Sequence, residues 1–370
     1  MIQERVVSTF LDLVQIDSPS TQEHEVAAYV KRWADRLGLA CHEDGTASKV
    51  GGTSGNLLIQ IPGLNSSGSP LMLSTHMDVV EPCRGVKPRI LDGMIHSDGT
   101  TVLGADAKAS LAAILDVVET VVEQRVAHPP LELVITVCEE MGLVGSSHFD
   151  VAALASTAGL VVDSQLPVGA VIAAAPTEYK FDAVIHGRPA HAGIEPEKGV
   201  SAAVIAAEAI HAIAWGRLDL ETTANIGMIH GGTGTNVVMP KLHMQGETRS
   251  FNRQKIEERI VFMERTFRSS AQAHGATLEW TVRKSYEGYR FEASHPLVER
   301  IRRHVEALQL PFDFRASGGG SDANVFNARG LPTVVLGYGP KKIHTCEESM
   351  AVKDLQNLCT LLTRLISDPG

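Results

Sequence analysis

The sequence predicts an α/β fold in which a sheet carries helices on both faces and is interrupted by a smaller inserted domain of β-α-β-β-α-β order. Three observations carry this expectation. Helical and strand periodicities alternate through the first half of the chain, as they do where helices layer on a sheet. Between residues 177 and 289 the alternation gives way to the split βαβ arrangement, after which the first pattern resumes. The length of 370 residues also exceeds what one hydrophobic core usually serves, so two domains are expected, one inserted into the other.

Apolar residues at helical spacing predict helices over 2–15 and 23–38, and short apolar runs predict strands over 56–61 and 70–75. Leu111, Leu115, Val118 and Val122 recur on one face of a helix expected over 107–124, and strands over 131–138 and 158–162 follow. The insert reads as strand YKFDAVIHG, helix VSAAVIAAEAIHAIAW, strands ANIGMIH and KLHMQGETRSF, helix QKIEERIVFMERTFRSSAQA and strand ATLEWTVRKSY. A helix over 296–309, a strand over 332–337 and a closing helix over 350–367 return to the first sheet. The sheet domain is thus expected over 1–176 and 290–370, with the insert over 177–289. NSSGS at 65–69 is a short loop.

Composition narrows the function. A net charge of -10 and the lack of a basic stripe argue against nucleic acid as a partner. No run of about 18 apolar residues marks a membrane span. The first residues lack the basic lead and compact apolar core of a signal peptide, and Cys41, Cys83, Cys138, Cys346 and Cys359 form no CxxC pair. A cytoplasmic protein with reduced thiols is expected.

The polar residues that carry chemistry fall where the predicted strands end, which is where open α/β sheets bind ligands. STHMDVV places His76 and Asp78 on one face of an extended strand, so that the carboxylate can receive the second ring N–H of a metal-bound imidazole. By itself this pair more often describes a surface or satisfied histidine and a loop aspartate. Asp106, just before a helix, has a helix cap as its ordinary reading. Glu139 and Glu140 are adjacent, so both reach one site only if their strand stops there, as Met141-Gly142 allows. Asp163, after GLVV, and His344, in GPKKIHTCEE, complete the set.

Convergence decides the reading. Carboxylates gathered at buried strand ends cost several kcal/mol each unless cations compensate them. Two Zn²⁺ would balance Asp106, Glu140, Asp163 and one hydroxide, and mixed histidine and carboxylate ligands suit zinc, with cobalt or manganese as alternatives. Zinc lowers the pKa of bound water from 15.7 to roughly 7, which supplies a hydroxide nucleophile. Glu139, outside the ligand count, is the expected proton shuttle.

The strings STHMDVV, LGADAKASLAAI, TVCEEMGLVGS, VVDSQ, HGRPAHAG and KKIHTCEE, in this order, resemble the co-catalytic zinc aminoacylase and peptidase family. The resemblance covers nearly the whole chain. Its nearest branch is the peptidase T-like one, through DGTTVLGAD and through GGTGTN followed by GETRSF. It implies a zinc-peptidase-type α/β/α catalytic domain with a ferredoxin-like lid and dimerisation insert, and hence a homodimer. It implies that Asp106 bridges two zincs, with His76 and Asp163 on one and Glu140 and His344 on the other. Asp78 would orient His76, Glu139 would be the general base, and the peptide after Asp106 would be cis. His191 would stabilise the oxyanion, while Asn236 and Arg249 would hold the substrate's carboxylate end, a task suited to a planar fork. SGGGSDANVF, at 317–326, resembles the family's glycine-rich substrate loop. Ala107 and Ser110 depart from the peptidase T pattern.

The expected activity is therefore hydrolysis of the N-terminal amide of short peptides, with an N-acyl amino acid deacylase or a carboxypeptidase as the alternative. A non-catalytic metal-binding protein is the reading of a different class, and the presence of Glu139 weighs against it. No GxSxG occurs, His24-Glu25 lacks the second histidine of HExxH, and GGTGTN does not have dinucleotide-binding spacing.

Overall fold

The computed structural model describes residues 2–367, which divide into two compact units. The first is built from the chain up to Ala174, Arg290–Ser317 and the chain from Ser321 onward; the second is Ala175–Tyr289 with Gly318–Gly320.

The first unit is organised on a nine-stranded mixed sheet. Its strands run in the order Ala40–Glu43, Leu57–Ile61, Leu131–Thr136, Leu71–His76, Ala158–Ser164, Thr333–Gly337 and Ala170–Ala175, with Tyr289–Arg290 and Asp313–Ala316 beside the last. The four from Leu131–Thr136 to Thr333–Gly337 are mutually parallel. Every residue of Leu71–His76, Leu131–Thr136 and Thr333–Gly337 is buried, so both faces of the sheet centre are covered. This is why those strands read as unbroken apolar runs rather than as alternating ones. The helices Ile2–Val14, Ala105–Glu123 and Val352–Ser367 pack on one another, and Pro296–Ala307 packs on the last. Phe10, Leu13, Leu115, Val118, Leu358 and Leu362 belong to the resulting core.

Elements expected from periodicity are present with ends shifted by a few residues. Among the elements not expected are the strands Ala40–Glu43, Ala170–Ala175 and Asp313–Ala316, and the hairpin Arg89–Leu91 and Met94–His96, which pairs with Ser349–Ala351. The stretch 317–326, read as a loop, gives way to a helix at Asp322–Ala328. A local cap explains that start, since the Ser321 N–H donates to Asn324 Oδ1 at 3.1 Å. Among the described residues no helix is long and apolar enough to cross a membrane.

The second unit is a five-stranded antiparallel sheet in the order Gly216–Arg217, Thr222–Gly231, Lys241–Ser250, Thr177–His186 and Thr277–Tyr286. The helices Ala202–Ala212 and Arg253–Ala273 cover one face, burying Phe181, Ala183 and Ile185 with Ile205, Met263 and Phe267. The alternation of buried and part-exposed residues along Thr177–His186 is that of a sheet covered on one side.

Leu73 lies in a central strand with no exposed surface. Leu73→Ala is expected to cost about 2–5 kcal/mol, the usual range for a cavity at a fully buried leucine. Urea unfolding followed by circular dichroism measures it, and a midpoint equal to that of the unsubstituted chain would contradict the packing described.

Candidate metal centre

The parallel strands place their carboxyl ends side by side, and the site residues of the first unit lie there. His76 closes Leu71–His76, and Asp163 lies next to the end of Ala158–Ser164. Beyond Thr136 the chain turns through Cys138, whose φ of 51° is left-handed, and presents Glu139 and Glu140. The turn closes where the amides of Gly142 and Leu143 donate to Glu139 O at 2.9 and 2.8 Å. This break in the strand lets two adjacent carboxylates serve one site. His344 lies on the loop after Thr333–Gly337, which the paired backbone of Lys341 and Ser349 closes.

Asp106 sits at the centre. It does not cap the helix: its φ of −86° and ψ of 104° are non-helical, and the Asp106–Ala107 peptide is cis, as the resemblance implies. One carboxylate oxygen, Oδ1, lies 3.4 Å from His76 Nε2, and the other, Oδ2, lies 3.5 Å from His344 Nε2. On the first side His76 Nε2 is 3.5 Å from Asp163 Oδ1, and on the second His344 Nε2 is 2.9 Å from Glu140 Oε1. Ligand atoms of His76, Asp106 and Glu140, and likewise of His76, Glu139 and Asp163, lie within 4.8 Å of one another.

The electrostatics fit a donor set for divalent cations. Burial pushes the Asp163 carboxyl up to about 7 against the pull of His76. Burial and the neighbouring Asp163 raise Glu139 well above the carboxylate range. Asp106 is held low in spite of burial, by His344 and His76. His344 in turn rises to about 10 beside Asp106 and Glu140. Burial opposes the charged form of His76, yet Asp106, Asp163 and Asp78 raise it well above the usual imidazole value. Such a cluster holds positive charge tightly, as protons or as metal ions.

Asp78 departs from the sequence expectation in its contacts. His76 Nδ1 is nearest the Asp78 backbone carbonyl, at 3.0 Å, and 3.5 Å from Oδ1 of its carboxylate. The Asp78 carboxylate instead accepts the amides of Glu139 (2.9 Å) and Glu140 (3.2 Å) and the Ser20 hydroxyl (2.6 Å).

Three residues of the other unit were also singled out. His191 and Asn236 are exposed on adjoining segments, where the Ala192 N–H donates to Asn236 O at 2.9 Å. Arg249 lies in Lys241–Ser250 with its fork engaged by Glu247 (2.8 and 3.0 Å) and Glu178 (2.8 Å), and its Nη1 donates to Gly318 O at 3.2 Å.

Sequence reasoning missed Tyr338 and Glu348. The Tyr338 hydroxyl donates to Asp106 Oδ1 at 3.0 Å. The buried Glu348 carboxylate accepts the amides of Gly104 (2.7 Å) and Asp106 (3.0 Å), so the loop that carries His344 also fixes the backbone of Asp106. The adjacent glutamates of HTCEE were the only available signal. Ala107 and Ser110 are fully buried, and the Ser110 hydroxyl bonds Ala107 O at 2.7 Å and the Thr75 hydroxyl at 2.6 Å. They pack the helix start and leave the donors unchanged.

The model of peptidase family M20/M25/M40 matches residues 72–368. The chain belongs to this family. An uncharacterised Bacillus subtilis (strain 168) protein, YqjE, is 38% identical over 366 residues, covering 99% of this chain and 98% of that protein. Among solved structures, aminopeptidase PepT from Bacillus cereus ATCC 10987 is 40% identical with a TM-score of 0.93. A tripeptidase (SAV1512) from Staphylococcus aureus subsp. aureus mu50 is 38% identical with a TM-score of 0.95. Each covers 99% of this chain and is itself covered over 98%. Family membership makes the chain a peptidase-type hydrolase and identifies the mixed sheet as the family's.

A pH dependence follows from the carboxyls and imidazole. Asp163 and Glu348, raised by burial to about 7, bind protons more tightly folded than unfolded, where such groups titrate near 4. Their contribution is complete below the unfolded value and is lost as pH rises through about 7. His344, at about 10 against roughly 6.5 when unfolded, acts in the same direction at higher pH. Protein kept metal-free by chelator is therefore expected to lose thermal stability between about pH 5 and 9, and added divalent cation to stabilise it more as pH rises. Calorimetric scans across that interval test this, and a rising midpoint in chelator would contradict it.

Proposed function

We propose that the chain is a di-zinc aminopeptidase that hydrolyses the N-terminal amide bond of short peptides. One observation carries the reading: the two oxygens of Asp106 face two different imidazoles, each with its own carboxylate, as a carboxylate shared between two ions must. His76, Asp163 and Asp106 would hold one ion, and His344, Glu140 and Asp106 the other. Zinc fits the mixed nitrogen and oxygen donors, with cobalt or manganese as substitutes. The similarity to an aminopeptidase and a tripeptidase along nearly the whole chain supports the substrate class.

Bound ions would supply Lewis acidity toward water and the scissile carbonyl. Glu139 supplies the proton transfers. Its buried carboxylate has a raised proton affinity, which suits taking a proton from the attacking water and returning it to the departing amine. Asp78 holds the Glu139 and Glu140 backbone and supports His76. We assign the oxyanion to His191 and the substrate's carboxylate end to Asn236 and Arg249, on the motif match. The proposal extends to a homodimer joined through the second unit, supported by the exposed Val204, Val261, Met228 and Ile229 there.

A substrate panel decides between this reading and an N-acyl amino acid deacylase. Free tripeptides are expected to be cleaved, N-acetyl and N-succinyl amino acids to be poor substrates, and chelation to abolish activity that zinc restores. Glu139→Ala is expected to lower kcat by about 10²–10⁴-fold, the range for general acid–base groups, with metal content by atomic absorption unchanged. Full activity in that variant would remove Glu139 from the mechanism, and preference for the acylated substrates would select the deacylase.

A further inference from the structure

Ser18–Glu23, the segment between the helices Ile2–Val14 and His24–Arg36, touches both site-bearing turns. Ser18 clamps the turn after Leu71–His76: its hydroxyl donates to Met77 O at 2.9 Å and its carbonyl accepts the Val79 amide at 2.9 Å. Ser20 donates to the Asp78 carboxylate. Glu23, fully buried, reaches the other turn. Its Oε1 accepts the Cys138 amide at 3.1 Å, the Cys138 thiol at 3.3 Å and the Thr21 amide at 2.9 Å. Its Oε2 has no hydrogen-bond partner among the described residues.

The consequence lies in the backbone. Cys138, Glu139 and Glu140 present three successive N–H groups around a left-handed residue, a concavity that accepts anions. Two buried carboxylates fill it: Glu23 takes the first amide, and Asp78 takes the second and third. A left-handed conformation is unfavourable for cysteine and persists only where surroundings enforce it. We propose that Glu23 is a positioning residue which, through the Cys138 amide, sets the corner that aims Glu139 and Glu140 into the site. The proposal rests on the roles assigned above to those two glutamates. Removing Glu23 also leaves the Cys138 amide without its acceptor, which costs stability, so a control at another buried carboxylate separates the role in geometry from that cost.

The test compares Glu23→Ala, Glu23→Gln and Glu23→Asp in the full chain. Glutamine keeps the reach and an acceptor oxygen but no charge; aspartate keeps the charge but withdraws the oxygen by one methylene. Glu132→Ala is the control, since that buried carboxylate holds the Ala155 and Ser156 amides at 3.0 and 2.8 Å, away from the proposed ligands. Hydrogen exchange by mass spectrometry, on protein kept metal-free, reads the peptide spanning 137–143. Kinetics on a tripeptide with zinc read kcat and KM.

In the alanine and aspartate variants, exchange at 138–140 should accelerate on the order of 10-fold, the loss of one hydrogen bond to a charged group. kcat should fall by about 100-fold, as misplaced catalytic groups produce, with KM within about threefold. The glutamine variant should retain most of both properties, and the control should lose stability without changing either. Wild-type exchange in Glu23→Asp, or a kcat loss no larger than in the control, would overturn the proposal; if Glu23→Ala does not fold, the glutamine and aspartate pair decides. Absence of peptide hydrolysis in the unsubstituted protein would sink the proposed function, and the exchange comparison would still decide the role of Glu23.

Discussion

The constraint on which the first unit depends is the burial of many carboxylates at one end of a sheet. Glu23, Asp78, Asp106, Glu139, Glu348 and Asp322 are all buried, with Asp163 beside them. Unpaired charges in such surroundings are among the costliest features a fold can contain. The structure resolves them by dividing the work. Glu23, Asp78 and Glu348 spend their oxygens largely on backbone amides, so hydrogen bonds to the chain itself offset part of the cost of burying them. Asp106, Glu139, Glu140 and Asp163 receive few such amides and face imidazoles and one another. The first group builds the site, and the second is the part that calls for cations.

This division follows from the sheet. Four parallel strands end together, and each is followed by a turn or loop rather than a tight hairpin, so side chains far apart in sequence meet over one edge. Turns are also the least rigid elements of a fold. A metal site needs donors held within fractions of an ångström. Carboxylates that take backbone N–H groups reconcile the two requirements, because they fix the turn without occupying a donor position. Glu348 does so for the entrance to the Ala105–Glu123 helix, and Asp78 and Glu23 do so for the Cys138 corner.

What could be read in the sequence follows the same division. Period-based patterns located most helices and strands, because the central strands are buried on both faces and the outer helices on one. His76, Asp106, Glu139, Glu140, Asp163 and His344 were legible because they stand at strand ends, at a helix start and on a loop after a strand, in an ordered set of motifs. Glu23, Tyr338 and Glu348 were not, since their contacts join residues more than a hundred positions apart and leave no local periodicity. Asp78 was found for its spacing from His76, but its main contacts, the Glu139 and Glu140 amides, lie on another turn. The helix at Asp322–Ala328 was hidden by the glycines before it, which outweighed a cap of a single serine and asparagine.

Arg249 illustrates where a motif match and a structure carry different information. The match marks an arginine suited to a substrate carboxylate, and the structure shows its donors engaged with Glu247, Glu178 and the Gly318 carbonyl. The two are compatible if the arginine is held in advance. A guanidinium anchored by two carboxylates loses little side-chain freedom on meeting a third, and side-chain ordering is a main cost of binding. The same logic applies to Glu139 and Glu140, whose turn Glu23 and Asp78 hold in advance through its amides.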